Sequence, residues 1–175
     1  MRATSGVLLC LSVVIIGQGS YGRAASPAPR GGVGVHHAHA RAALPLLVDG
    51  AVTPAQIPDA VAYRHFVSIT AVSATASTAD QHRRDAILEP AGLSAADRAS
   101  YLAAITNLRD SLQAIEQQMH IAPDVATVDA LKQQRRSLLD AAAARILASL
   151  SADGTTRFQA HIKTSVKKRI RIYGQ

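Results

Sequence analysis

Seven histidines and a single cysteine, Cys10, set the first limits on what chemistry this 175-residue chain could perform. His36, His37 and His39 lie close enough together to share a transition metal. A stable site, however, holds three or four ligands in fixed geometry, and the surrounding Pro, Gly and Ala residues offer no fixed backbone. The tract reads as an incidental polar run, and no metal site is expected. His82, Asp85 and Glu89 fall at i, i+3 and i+7, one face of a helix that could ligate or exchange protons. With Arg83 and Arg84 beside them, the simpler reading is a solvated surface whose charges pair among themselves. Gly32-Val33-Gly34 lacks the third glycine and the preceding strand of a dinucleotide fingerprint, and neither G-x-S-x-G nor H-E-x-x-H occurs. Neither an enzymatic activity nor a cofactor is expected.

The elements that would position such residues are read from periodicity. Tyr101, Ile105, Leu108, Leu112, Ile115 and Met119 follow one another at steps of 4, 3, 4, 3 and 4, a heptad stripe that predicts one continuous helix over 95–120. At ~1.5 Å per residue it would run about 39 Å. After Ile121-Ala122-Pro123-Asp124 a second apolar series, Val128, Leu131, Leu138, Leu139, Ala142, Ile146 and Leu150, predicts a returning helix of similar length. The pair reads as a long antiparallel hairpin, with Arg135 in the seam snorkelling its head into water. Thr53-Pro54-Ala55-Gln56 has the residues of a capping box, and Ala62, Phe66, Ile69 and Ala76, flanked by Tyr63 and Val67, give a helix from about Asp59. A bend is expected near Ser77 or Thr78, and Thr78-Ala79-Asp80-Gln81 is expected to cap a further helix that ends at Gly92. The fold class is all-α: the hairpin, N-terminal helices packed on it and a basic C-terminal helix. With no Trp, two Phe and four Tyr, its core is expected to be Ala, Leu, Ile and Val.

Residues 1–24 have the parts of an export signal: Arg2, an apolar run over 7–16, and the small residues Gly22 and Ala24 before a cut that leaves Ala25 first. Residues 25–52 read as a flexible leader, 53–162 as the helical domain and 163–175 as a basic tail. A chain exported to the periplasm or secreted would then carry no cysteine, so packing alone must stabilise it. Residues 25–162 hold twelve Lys and Arg against twelve Asp and Glu. The positive excess therefore lies in the tail, as Lys163, Lys167, Lys168, Arg169 and Arg171. Such a tail suits an anionic membrane surface; one interleaved aromatic is too little for a nucleic-acid interface.

One motif recurs. Leu93-Ser94-Ala95-Ala96-Asp97, continuing to Tyr101, Ala103 and Ile105, returns 57 residues later as Leu150-Ser151-Ala152-Asp153-Gly154, continuing to Phe158, Ala160 and Ile162. In each a leucine can staple the helix entry and a serine can cap it. The pair resembles the Leu-Thr-x-x-Gln motifs of the Spy and CpxP family of periplasmic helical stress proteins, with Ser94 and Ser151 at the threonine and Asp97 and Gly154 at the glutamine. The segments TPAQIPDAVAYRHF and LSADGTTRFQAHI, the latter with VKKRIRIY after it, more closely resemble uncharacterised exported helical proteins of bacteria. The first resemblance implies binding of partly unfolded or partner proteins on a helical cradle; the second implies no activity. Slim amphipathic helices also leave apolar surface for a second copy or a client. The expected function is therefore an exported protein-binding module, chaperone-like or an adaptor, that contacts its partner through Tyr101, Ile105, Leu108, Leu112, Ile115 and Met119. The alternative is a structural or membrane-surface protein that uses its tail and has no client.

Overall fold

The structure, a computed structural model, describes residues 46–73 and 75–173. The segment expected to be an export signal, Cys10 and the histidine tract at 36–39 lie outside the described residues. Two compact units are distinguished, one holding Asp49–Ile170 and the other, among described residues, 46–48 and 171–173. In the latter a short ribbon pairs β1 (Leu46–Asp49) with β2 (Arg171–Tyr173). Strand thus stands within the segments expected to be a flexible leader, 25–52, and a basic tail, 163–175. Leu-Leu-Val and Ile-Tyr are segments of high β propensity.

The larger unit is all-α. A 3-10 turn, Pro54–Gln56, precedes α1 (Asp59–Thr70); Thr53 makes no cap hydrogen bond there, its hydroxyl donating instead to the Asp49 carbonyl at 3.2 Å. Helix α1 stops at Thr70 rather than running on to Ala76. The next residues, Val72, Ser73 and Thr75, are β-branched or carry short hydroxyls that compete for the backbone, which withdraws helix propensity. Helix α2 (Thr78–Leu88) is capped one residue earlier than expected, by Ser77, whose Oγ accepts from the Asp80 N–H at 3.2 Å. A 3-10 turn, Glu89–Ala91, follows and ends at Gly92 with φ 63°, a left-handed position suited to glycine. Then come α3 (Ala95–Ala104), α4 (Leu108–Ile121), α5 (Val125–Ser149) and α6 (Ala152–His161), with a π turn, Ile162–Val166, and a 3-10 turn, Lys167–Arg169.

The continuous helix expected over 95–120 is broken at Ile105-Thr106-Asn107. Two β-branched residues and an asparagine are weak helix formers in succession, and Asn107 takes φ 63°, which Asn tolerates better than most residues. The Thr106 hydroxyl donates to the Leu102 carbonyl and the Leu108 N–H to the Ile105 carbonyl, so the break is itself hydrogen-bonded. Sequence periodicity passes through this point while the backbone does not. The consequence is a division along the stripe: Tyr101 sits on α3 against Phe66 and Phe158, while the buried Leu108, Leu112 and Ile115 sit on α4, which packs on α5.

Helix α5 is the common support, packing against α1, α3 and α4, and α6 with the π turn closes over α1. At the centre stand both phenylalanines of the chain. Phe66, Tyr101 and Phe158 are fully buried and pairwise in contact, with centroids 5.6 to 6.3 Å apart and tilted or edge-on rings. Tyr63 and His161 extend this cluster, and the Tyr101 hydroxyl meets Thr70 Oγ1 at 2.6 Å. The core is therefore not purely aliphatic: three rings from α1, α3 and α6 fill its middle. Arg135 is half-exposed, its guanidinium 3.8 Å from Glu116 and 3.5 Å from the Ser68 hydroxyl.

Candidate functional site

The repeated motif comes together in space. Ser94 and Ser151 take nearly the same conformation, φ −61° and ψ 162° against φ −62° and ψ 164°, and each accepts from the N–H three residues on. At α3 the box is completed locally, the Ser94 hydroxyl donating to Asp97 Oδ2 at 2.7 Å, just as Ser77 donates to Asp80 at α2. At α6 the corresponding position is Gly154, which has no carboxylate. Asp97 supplies it: the Ser151 N–H donates to Oδ1 at 2.8 Å and the Ser151 hydroxyl to Oδ2 at 3.0 Å. A Cβ on Gly154 would stand 2.5 to 2.7 Å from that carboxylate, so glycine is what lets the two starts meet. Asp97 is buried, and hydrogen bonds from Ser151 and Ser94 hold its carboxyl below the usual carboxylate range. One negative group sits between two helix N-termini. Sequence reasoning found the repeat and missed the bridge, although Gly154 at the place of Asp97 was its signal.

The second group comprises His82 and Asp85 on α2 and Glu89 at the start of the 3-10 turn that follows it, which line a shallow cleft of about 350 Å³ with Ala86 and Arg98. Asp85 Oδ1 lies 2.9 Å from both the Arg84 and the Arg98 guanidinium groups. Burial pushes its pKa up, but the hydrogen bonds from Arg98 and Arg84 prevail and the carboxyl titrates below its ordinary range. That pairing leaves the carboxylate committed. Among the described residues no group of three His, Cys, Asp or Glu is placed to hold a metal ion. A further open cleft of similar size lies between Val72, Ser73, α2 and the α3–α4 break, and its charged residue, Arg84, is the one held by Asp85.

Of the stripe assigned to partner binding, Tyr101, Ile105, Leu108, Leu112 and Ile115 are buried within the chain, and Met119 is half-buried. Their neighbours are the aromatic cluster and α5, so the apolar surface open to a partner lies further out. Beyond Ile115 on α4 and before Leu139 on α5 no residue is fully buried. Met119, Val128, Leu131 and Leu138 are half-covered, while Ile121 and Val125 are 82% and 64% exposed. This outer arm is two helices thick, joined at Ala122-Pro123-Asp124, where the Asp124 carboxylate caps α5 by accepting from the Thr127 N–H at 2.7 Å.

Of the tail cations, Lys163, Lys168, Arg169 and Arg171 are exposed, but Lys167 is buried and paired with Asp59, so it is not a surface cation. The hydrogen bond from Lys167 lowers the Asp59 pKa. Arg169 lies near His65 and His161; burial first, then that guanidinium, pushes both imidazoles below their ordinary pKa. Among the described residues no helix is long and apolar enough to cross a membrane. Comparison with family models, with curated proteins and with solved structures finds no match to this chain.

Proposed function

We propose that the protein is an exported, helical protein-binding module whose contact element is the outer arm of α4 and α5. The observation that carries this reading is the arm's half-covered seam: from Met119 to Leu138 it has apolar residues at helical spacing, none is fully buried, and Ile121 and Val125 are exposed. Two helices cannot bury both sides of such a seam, and an apolar face left open on a helical pair is a docking surface by its chemistry. The resemblance of the capped helix starts to the Spy and CpxP family supports the same class. A membrane-surface role for the tail is supported less well, because Lys167 is engaged by Asp59.

The test is capture from an envelope extract by the chain beginning at Ala25, beside the double variant Ile121→Ser, Val125→Ser. Both positions are exposed, so the fold should survive the change. Partners held by the wild type and lost by the variant, at equal helicity, support the reading. Equal capture by both places the contact elsewhere.

A further inference from the structure

The arm's charges are not evenly spread. Its outer band, residues 116–131, holds Glu116, Asp124 and Asp129 and no Lys or Arg. The inner band, 108–115 on α4 and 132–138 on α5, holds Arg109, Lys132, Arg135 and Arg136 against Asp110 alone. The tip is thus acidic and the root basic, in balance. On α5 the exposed Asp129 and Arg136 lie seven residues apart, so they share a face about 10.5 Å apart at ~1.5 Å per residue. Val125 is one turn outward of Asp129 on that face. Among the described residues Arg136 makes no ion pair, and Asp129 has only the half-exposed Lys132, at 2.9 Å.

We infer that the arm's partner is a second copy of this chain, laid antiparallel so that each acidic tip meets the other's basic root. This rests on the protein-binding reading above and names the partner. A twofold axis near residues 132 and 133 sets Asp129 of each copy opposite Arg136 of the other. In a parallel arrangement tip would face tip and root would face root, two repulsive bands. The antiparallel one converts the same charges into attraction and covers the exposed Val125 of each tip, completing four helices where each arm has two. A client of arbitrary sequence has no reason to match this gradient; a second arm matches it by symmetry.

The experiment is sedimentation of the purified protein over a concentration series, at low and high NaCl, with the variants Asp129→Lys and Arg136→Glu. The wild type is expected to dimerise, less well at high salt. Each variant alone should weaken self-association about tenfold or more, because both symmetric contacts become repulsive. Mixing the two variants should restore it, since the lysine introduced in one copy then faces the glutamate introduced in the other and the remaining contact is native. That restoration is specific to the antiparallel register and also shows that neither variant is misfolded. Dimers indifferent to the variants, or a mixture no better than its components, would overturn the arrangement. A wild type that stays monomeric yet captures other proteins through Ile121 and Val125 would overturn the second copy and leave the binding module. A monomer that captures nothing would sink both.

Discussion

Replacing Asp97 by Asn would keep the side-chain volume and remove the charge that two helix starts share. Asp97→Asn should lower the melting temperature, and Ser94→Ala should lower it less, because Ser94 serves one start while Asp97 serves two. Gly154→Ala should act on the same point from the other side. Its Cβ would displace the Asp97 carboxylate, at a cost of about 1 to 3 kcal/mol for an overpacked buried contact. Denaturant titration of the three variants checks the order. In the core, Leu112 is fully buried, so Leu112→Ala should lose ~2 to 5 kcal/mol and most of the helical signal at moderate denaturant, while the exposed Gln113→Ala should leave the midpoint in place. These sites differ in how visible they are in the sequence. Leu112 announces itself by spacing. Asp97 reads only as a local cap residue, because its second partner is 54 positions away and nothing in a one-dimensional pattern records that approach.

At the scale of elements, apolar periodicity located the helices and local backbone preference moved their ends. Helices α1, α2, α5 and α6 begin within about two residues of their sequence signals, and the turn at Gly92 falls where glycine stands. The long stripe misled in one respect, since spacing of 4 and 3 says which face is apolar but not whether the backbone stays helical between two apolar residues. Ile105-Thr106-Asn107 held that information as three poor helix formers. The break gives a direct test. Asn107→Ala should destabilise by about 1 kcal/mol, because alanine gains helix propensity but must accept φ 63°, whereas Asn107→Gly should be neutral or better. A stabilised Ala variant would mean that the two helices can merge. Gly50 is a second backbone constraint: a Cβ there would collide with the Lys167 carbonyl oxygen, so the chain can pass that close only as glycine.

Over the whole molecule, the ionisable groups set two windows of pH in which stability changes. His65 and His161 have folded pKa values below the unfolded value of ~6.5, so the unfolded chain binds protons first. Their contribution is complete above that pH and is lost as pH falls from it toward the folded values. Asp59, Asp85, Asp97 and Asp124 are lowered too, so their contribution holds above ~3.9 and drains below it as each folded pKa is crossed. Thermal melts against pH should show a plateau above ~7, a first decline below about 6.5 and a second below ~4, with His65→Gln and His161→Gln together flattening the first. A single acid transition below ~4 would place the histidines in no shifted environment. None of this was legible beforehand, since the sequence scattered these histidines without showing that both come near Arg169. The shared carboxylate has one more consequence, which concerns time. The one carboxylate in the first turn of α6, Asp153, pairs with Arg157, and the Ser151 cap takes its carboxylate from α3 instead, so the start of α6 is completed only when α3 is already folded beneath it. Its opening amides should therefore exchange with deuterium at the same rate as those of α3, as one cooperative unit, and in Asp97→Asn the two rates should part, with α6 the faster.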